Sequence, residues 1–336
     1  MTKINNFFAI LFLCACCITC MSPVEMIPVL IDTDANNEVD DQHALAYLFM
    51  NGNTFDVKGV TINATFGGGN VDEQYAEADR IVRLCNVTGL PVKKGADGDF
   101  ETIAPTITQT DFDGSEAVNF IIAQAKAMTN DKLVLIAVGK LTNVALAIEK
   151  DPSITDKIRL VWLGSNYPDP GEYNLENDIP SMNYLLDTSI EFEMVTVRYG
   201  KPSGTGAVIA FKKDILEKMP GKGPVAKEPV TGRHGNQFRC FGDYSVNLFE
   251  ECENHGNPPG RSLFDMAAVA IVKNPSWAEV KIIPAPLMED KKWIERPNNK
   301  RTIKVWENFD IKAILDDFYL SMEHYTLIDV NRSKKQ

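Results

Sequence analysis

Apolar and polar positions along this chain follow two different periods, and the switches between them mark its elements. The apolar run Ile27 to Ile31 predicts a buried strand, followed by a polar cluster with turn chemistry. A helical pattern then opens at Asp40-Asp41 and continues through Ala44, Leu45, Leu48 and Phe49. Val57 to Ala64 predicts a second strand, Val71 to Leu84 an amphipathic helix, and Leu90-Pro91-Val92 the start of a short strand. Gly114-Ser115 leads into a helix through Met128, followed by the apolar strand Leu133 to Val138. The turn Gly139 to Asn143 precedes a helix over Val144 to Glu149, and Ile158 to Leu163 predicts another buried strand ending in Gly164-Ser165-Asn166. Strand and helix alternate every 25 to 40 residues or so, which predicts right-handed βαβ units. The fold class is therefore α/β, with a Rossmann-like open, mostly parallel central sheet flanked by helices.

The pattern loosens between Tyr199 and Arg261, where Gly and Pro cluster and one helix is predicted near Val246 to Cys252. Segments of this kind form lids or oligomer contacts. Beyond it come an apolar helix over Leu263 to Val272, strands over Val280 to Ile283 and Ile303 to Trp306, and a helix over Ile311 to Met322. No linker separates independent domains, so residues 26–330 are read as one domain.

The amino end has a different character. Phe7 to Cys20 is a nearly unbroken apolar run after a single lysine, too short for a spanning helix, and it predicts a signal peptide over residues 1–22. Leu13-Cys14-Ala15-Cys16 resembles a lipobox, with Cys16 the lipidated residue and Cys20 the weaker candidate. The expected location is therefore exported, periplasmic or lipid-anchored to the cell envelope. Cys85, Cys240 and Cys252 remain in the mature chain; they form no disulfide framework and have no zinc spacing, although a Cys240–Cys252 bridge stays open. With 336 residues and a net charge of −12, the chain argues against nucleic-acid or anionic-membrane partners and suits a cation or neutral polar ligand.

Charge chemistry concentrates where the first strand meets the first helix. Asp32, Asp34, Glu38, Asp40 and Asp41 place five acids in ten residues, at the crevice where open α/β sheets bind ligands. Asp40 and Asp41 alone could simply favour a helix N-terminus. Asp32 and Asp34 have no such explanation, and a cation between the carboxylates is the favoured reading. Asp265 adds a carboxylate in a helix apolar nearly all round, where an ion costs several kcal/mol unless it meets a cation. Its alternatives are an Arg or Lys partner, with Arg261 nearest in sequence, or a tolerated N-terminal helix position. Gly139-Lys140-Leu141-Thr142-Asn143 lacks the phosphate-loop pattern, and Gly67-Gly68-Gly69-Asn70 lacks dinucleotide spacing. Glu172-Tyr173-Asn174 reads by itself as a polar turn, and the histidines His43, His234, His255 and His324 have no metal spacing.

Taken in order, these segments resemble the inosine–uridine-preferring nucleoside hydrolase family. The resemblance is carried by Asp32-Thr33-Asp34 with Asp40-Asp41, Gly69-Asn70, Gly139 to Asn143, Glu172-Tyr173-Asn174 and Asp265, and it spans about Pro28 to Trp277. It implies an N-ribosyl hydrolase with one bound Ca²⁺, held by the carboxylates of Asp34, Asp41 and Asp265 and the main-chain carbonyl of Thr142. It implies Asp34 as general base, with Asp40, Asn70, Glu172 and Asn174 on the ribose hydroxyls of a small-molecule nucleoside or riboside. A homo-oligomer is a further expectation from the family.

The chain also departs from the family pattern. The usual Pro-Gly of the acidic loop is replaced and two residues are added, giving Ala35-Asn36-Asn37-Glu38-Val39, and the loop Thr65 to Gly69 is lengthened. Leu163-Gly164-Ser165 stands for a Met-Gly-Gly turn, and Phe264 occupies the place of a histidine that protonates the leaving base. His234, Tyr244 or Arg261 could replace it. Two alternatives to a nucleoside hydrolase accompany these departures: a non-catalytic ribose- or nucleoside-binding protein, and a hydrolase of another glycoside.

Overall fold

A computed structural model describes residues 26–331, so the expected signal peptide and the lipidation candidates Cys16 and Cys20 lie outside the described residues. The first half runs β1 (Ile27–Thr33), α1 (Asp40–Phe49), β2 (Phe55–Ile62), α2 (Val71–Leu84), β3 (Val92–Lys94), α3 (Phe100–Ile103), α4 (Ser115–Ala127), β4 (Leu133–Ala137), α5 (Thr142–Lys150) and β5 (Ile158–Ser165). Next come α6 (Tyr173–Asn177), α7 (Ile179–Leu186), β6 (Glu191–Thr196), β7 (Ile209–Phe211), α8 (Lys212–Lys218), β8 (Val230–Thr231), β9 (Gln237–Phe238) and α9 (Phe241–Glu251). The chain closes with β10 (Gly260–Ser262), α10 (Phe264–Lys273), β11 (Glu279–Pro284), β12 (Leu287–Glu289), β13 (Lys292–Ile294), β14 (Thr302–Glu307) and α11 (Ile311–Glu323).

The main sheet has eight strands in the order β11-β14-β6-β5-β4-β1-β2-β3. Every neighbouring pair from β14 to β3 is parallel, and only the edge strand β11 is antiparallel. Strands buried on both faces need apolar residues at successive positions, and β1 supplies them: Val29 and Ile31 join one core, Leu30 the other. The first core receives α1, α2, α9, α10 and α11, the second α4, α5 and α7. Helix α1 packs on α10. At their far ends a bridge of Tyr47, Lys273 and Asp317 ties both to α11.

The alternation expected from sequence is therefore present, and the local differences around β6 and α9 have physical causes. Strand β6 was not anticipated, because its Glu193 reads as a surface residue. It is fully buried, bonded by Arg159 Nε (2.8 Å), Lys304 Nζ (2.8 Å) and Trp306 Nε1 (2.7 Å), which together neutralise and satisfy it. Helix α9 starts at Phe241, five positions before the expected start at Val246, because Phe241, Tyr244 and Leu248 bury their side chains. Gly242 disguised this turn; a Cβ there would lie 2.0 Å from the Met219 carbonyl oxygen. Cys240 and Cys252 are free thiols at opposite ends of this 11-residue helix. About 18 Å of helical rise separates them, far beyond disulfide reach.

Candidate active site

Strand β1 carries Asp32 into the sheet and ends at Thr33, so Asp34 emerges at its carboxyl end. The loop that follows delivers Asp40 and Asp41 to the first turn of α1, and a second buried helix, α10, places Asp265 in its own first turn. Because α1 and α10 pack together, the two helix N-termini bring their carboxylates to one point. Ligand atoms of Asp40, Asp41 and Asp265 all lie within 4.8 Å of one another. Asp34 interacts electrostatically with each of the three.

These four side chains are nearly inaccessible, at 1% (Asp34), 6% (Asp40), 3% (Asp41) and 3% (Asp265). Burial pushes the Asp34 carboxyl up to about 6 and that of Asp40 up to about 7. Burial first, and then the charges of their neighbours, push Asp41 and Asp265 well above the usual carboxylate range. Each ionised pair at this spacing costs roughly 3–4 kcal/mol at an effective dielectric of 20. None of the four is ion-paired with Lys or Arg among the described residues. Hydrogen bonds relieve only part of the cost: Thr33 Oγ1 donates to Asp41 (2.5 Å), Thr65 Oγ1 donates to Asp34, and Asp265 donates to Asp40. A concentration of buried, hard, anionic oxygens with no ion-paired Lys or Arg among the described residues is the donor set that a divalent hard cation requires.

Asp32 belongs to a different arrangement. Thr61 (2.6 Å), Asn63 (2.6 Å) and Asn143 (2.8 Å) all donate to its carboxylate. It therefore anchors β1 to β2 and α5 at the base of the site and does not join the cluster. Gly139 lets the backbone approach this group: a Cβ there would lie 2.6 Å from Asn63 Oδ1 and 2.9 Å from Asp34 Oδ1.

Above the carboxylates lies a cavity of about 430 Å³, a volume that accommodates a small ligand. Glu172 and Asn174, for which the family resemblance implies sugar contacts, both line it. Glu172 caps α6 by accepting from Leu175 N (2.8 Å), and burial raises its carboxyl to about 7. The amide of Asn174 donates to the carbonyls of Val138 (3.0 Å) and Leu163 (3.1 Å), leaving its oxygen for a ligand donor.

Two expected residues lie elsewhere. Asn70 is exposed and forms the capping box of α2 with Glu73, outside the cavity wall. The lengthened glycine loop, with Gly68 and Gly69 at positive φ, carries Asn70 away, and Asn37 and Tyr173 line the cavity instead. Thr142 begins α5, donates its hydroxyl to Asp178 (2.5 Å) and does not line the cavity. Asp40, expected on the sugar, stands in the compact carboxylate trio itself. Tyr199 and His255 also line the cavity, and sequence offered no signal for either role.

The fold and site together define a class: a parallel α/β sheet with a ligand cavity at its strand ends and a buried carboxylate cluster beneath it. The model of the inosine-uridine preferring nucleoside hydrolase family matches residues 29–316, and the chain belongs to that family. The inosine-uridine preferring nucleoside hydrolase of Crithidia fasciculata is 24% identical over 191 residues, covering 50% of this chain and 60% of the relative. A probable uridine nucleosidase 2 of Oryza sativa subsp. japonica is 27% identical over 227 residues, covering 59% of this chain and 63% of the relative. The matched region thus spans under two thirds of the length of these curated relatives. Solved structures extend the likeness of fold to nearly the whole domain. A plant nucleoside hydrolase superposes with a TM-score of 0.69 at 17% identity, covering 89% of this chain and 99% of that one. The inosine-uridine preferring nucleoside hydrolase from Bacillus anthracis gives 0.64 at 18% identity, covering 89% and 99%.

Proposed function

We propose that the protein hydrolyses the N-glycosidic bond of a ribonucleoside or related N-riboside with the help of one Ca²⁺. The observation that carries the proposal is the convergence of Asp34, Asp40, Asp41 and Asp265, buried with no Lys or Arg ion pair among the described residues, under a cavity of about 430 Å³. Asp34, Asp41 and Asp265 would hold the ion, with Asp40 beside them. Bound there, Ca²⁺ would compensate the buried charge, fix a sugar diol and increase the acidity of a coordinated water. Asp34 acts as general base for the attacking water, its carboxylate oriented by the Thr65 hydroxyl. Glu172 and Asn174 hold sugar hydroxyls, and rigid placement of the sugar converts binding into orientation. Val138, Leu163 and Val197 supply the apolar wall that limits bulk water around a developing oxocarbenium ion. The apolar segment before residue 22 supports export of the protein as part of the same proposal.

The direct test is release of free base from purine and pyrimidine nucleosides by the mature protein, with Ca²⁺ and with chelator. Chelator-sensitive release is expected. Binding of ribosides with Ca²⁺ but no release over hours would instead make the protein a binding protein, the alternative that Phe264 in the cavity wall favours.

Stability should report the ion independently of turnover. Without metal, Asp34 at about 6, and Asp40 and Glu172 at about 7, hold protons that the unfolded chain loses near its ordinary carboxylate range. The unfolded state therefore binds fewer protons between about pH 4 and 7, and stability falls as pH rises through that window. Each unit of raised pKa corresponds to about 1.4 kcal/mol. Ca²⁺ would take the place of the protons on the clustered aspartates, so its stabilising effect should grow from pH 5 to pH 8. His43, pushed down to about 4 by burial, has the opposite sign but is common to both forms. Thermal midpoints with Ca²⁺ and with chelator at the two pH values check this; a constant difference would place the ion away from these carboxylates.

A further inference from the structure

Hydrolysis of an N-riboside leaves negative charge on the base as the bond breaks, and Phe264 has no proton or charge to offer it. Sequence left His234, Tyr244 and Arg261 as replacements, and their positions differ. His234 is exposed and outside the cavity lining. Tyr244 is buried, and its hydroxyl donates to Glu77 (2.7 Å), also away from the cavity. Arg261 lines the cavity on β10, four residues before Asp265, with its side chain only 11% exposed.

The guanidinium is held in a definite orientation. Nη1 donates to the Glu253 carbonyl (2.9 Å) and to His255 Nε2 (2.8 Å), and Nη2 donates to the Glu38 carboxylate. Those bonds use three of the five N–H donors of an arginine. The Nε–H and one Nη2–H have no partner among the described residues. Glu38 lies in Ala35 to Val39, the segment where the acidic loop departs from the family pattern. The altered loop thus supplies the carboxylate that orients the arginine, and the altered position 264 supplies an aromatic wall. Phe264 stands edge-to-face with Tyr199, ring centroids 6.0 Å apart, and both line the cavity. A flat apolar wall in the same cavity as unused, charged N–H donors fits a planar heteroaromatic ring with acceptor atoms at its edge.

We infer that Arg261, oriented by Glu38, meets the departing base and stabilises the charge that develops on it. The inference rests on the reaction proposed above. The C1′–N bond breaks with its electron pair passing to the base nitrogen. A water oxygen bonds to C1′ and its proton goes to Asp34. The base leaves as an anion hydrogen-bonded to Arg261 and takes a proton from solvent, and Asp34 returns its proton to solvent. Arginine stays protonated throughout, so it acts as a donor of hydrogen bonds to charge, not as a proton source.

The test compares Arg261→Met and Arg261→Lys with the wild type on inosine and on p-nitrophenyl β-D-ribofuranoside, whose phenolate departs without help. Removal of a donor to developing charge lowers kcat by about 10²–10³-fold. Arg261→Met should therefore lose at least ten times more activity on inosine than on the nitrophenyl riboside, and Arg261→Lys should recover part of the inosine rate. Equal losses on both substrates, or no loss on inosine, would overturn the assignment of Arg261. Wild-type protein that cleaves the nitrophenyl riboside but not inosine would overturn it as well. Cleavage of neither by the wild type would remove the proposed reaction itself, a separate and recognisable result.

Discussion

Replacing Asp34 by Asn should abolish nearly all turnover, with kcat falling on the order of 10²–10⁴-fold as expected for loss of a general base. The side chain keeps its size, and its oxygen can still accept from the Thr65 hydroxyl that bonds Asp34. What disappears is the proton acceptor at a buried position, 1% exposed, at the carboxyl end of β1. The same substitution takes one negative charge from the cation's surroundings, so Ca²⁺ affinity should fall too. The two roles separate by titrating the variant with Ca²⁺ to saturation, followed calorimetrically, and measuring turnover there. A defect that persists at saturation identifies the base. Full recovery would reduce Asp34 to a metal ligand and return the search for the base to Glu172, a cavity carboxylate outside the cluster with a pKa raised to about 7.

The second large effect concerns Asp265→Asn, which should move stability in opposite directions with and without metal. In the protein with Ca²⁺, losing one anionic ligand leaves the ion undercompensated. Such a break in a buried charge pairing costs about 3–5 kcal/mol, or roughly 10²–10⁴-fold in affinity. With chelator the same change removes a carboxyl that must either hold a proton at a cost or repel its neighbours. Asp265 is fully buried against Asp40, Asp41 and Asp34, whose charges all raise its pKa further. Relief of that cost at pH 8 is on the order of the roughly 3–4 kcal/mol of one such pair, a rise of several degrees in thermal midpoint. The crossing is diagnostic because a structural aspartate, bonded for packing alone, would lower stability in both conditions. Wild-type Ca²⁺ content in the variant would show that the ion sits elsewhere.

Some of this was visible in the bare sequence because it depends on local pattern. The acidic segment Asp32 to Asp41 reads as a strand end followed by a helix start, and β1 and α1 lie there. The helix from Val71 to Leu84 has the residues expected of it, since an amphipathic stripe and the Asn70 cap are short-range signals. The same cap shows where pattern misleads. The family resemblance implies a sugar contact for Asn70, but the lengthened loop, with Gly68 and Gly69 at positive φ, leaves Asn70 outside the cavity as a helix cap. Strand β6 escaped notice for the converse reason: the partners of its buried Glu193 come from residues 34 and 111 positions away.

What the sequence determined by itself is the order of strands and helices, the concentration of acids at the first strand end and the unusual aspartate of an apolar helix. Each follows from residue spacing within a few turns of chain, where periodicity and local electrostatics act. Only the tertiary structure decided which acids share a site. Asp32 is absorbed by Thr61, Asn63 and Asn143, whereas Asp40 and Asp41 meet Asp265 because α1 and α10 pack side by side. It also decided that Glu38 reaches Arg261 across 223 residues of sequence at the cavity wall. Burial and encounter between distant segments set the cost of each charge, and neither quantity exists until the chain has folded.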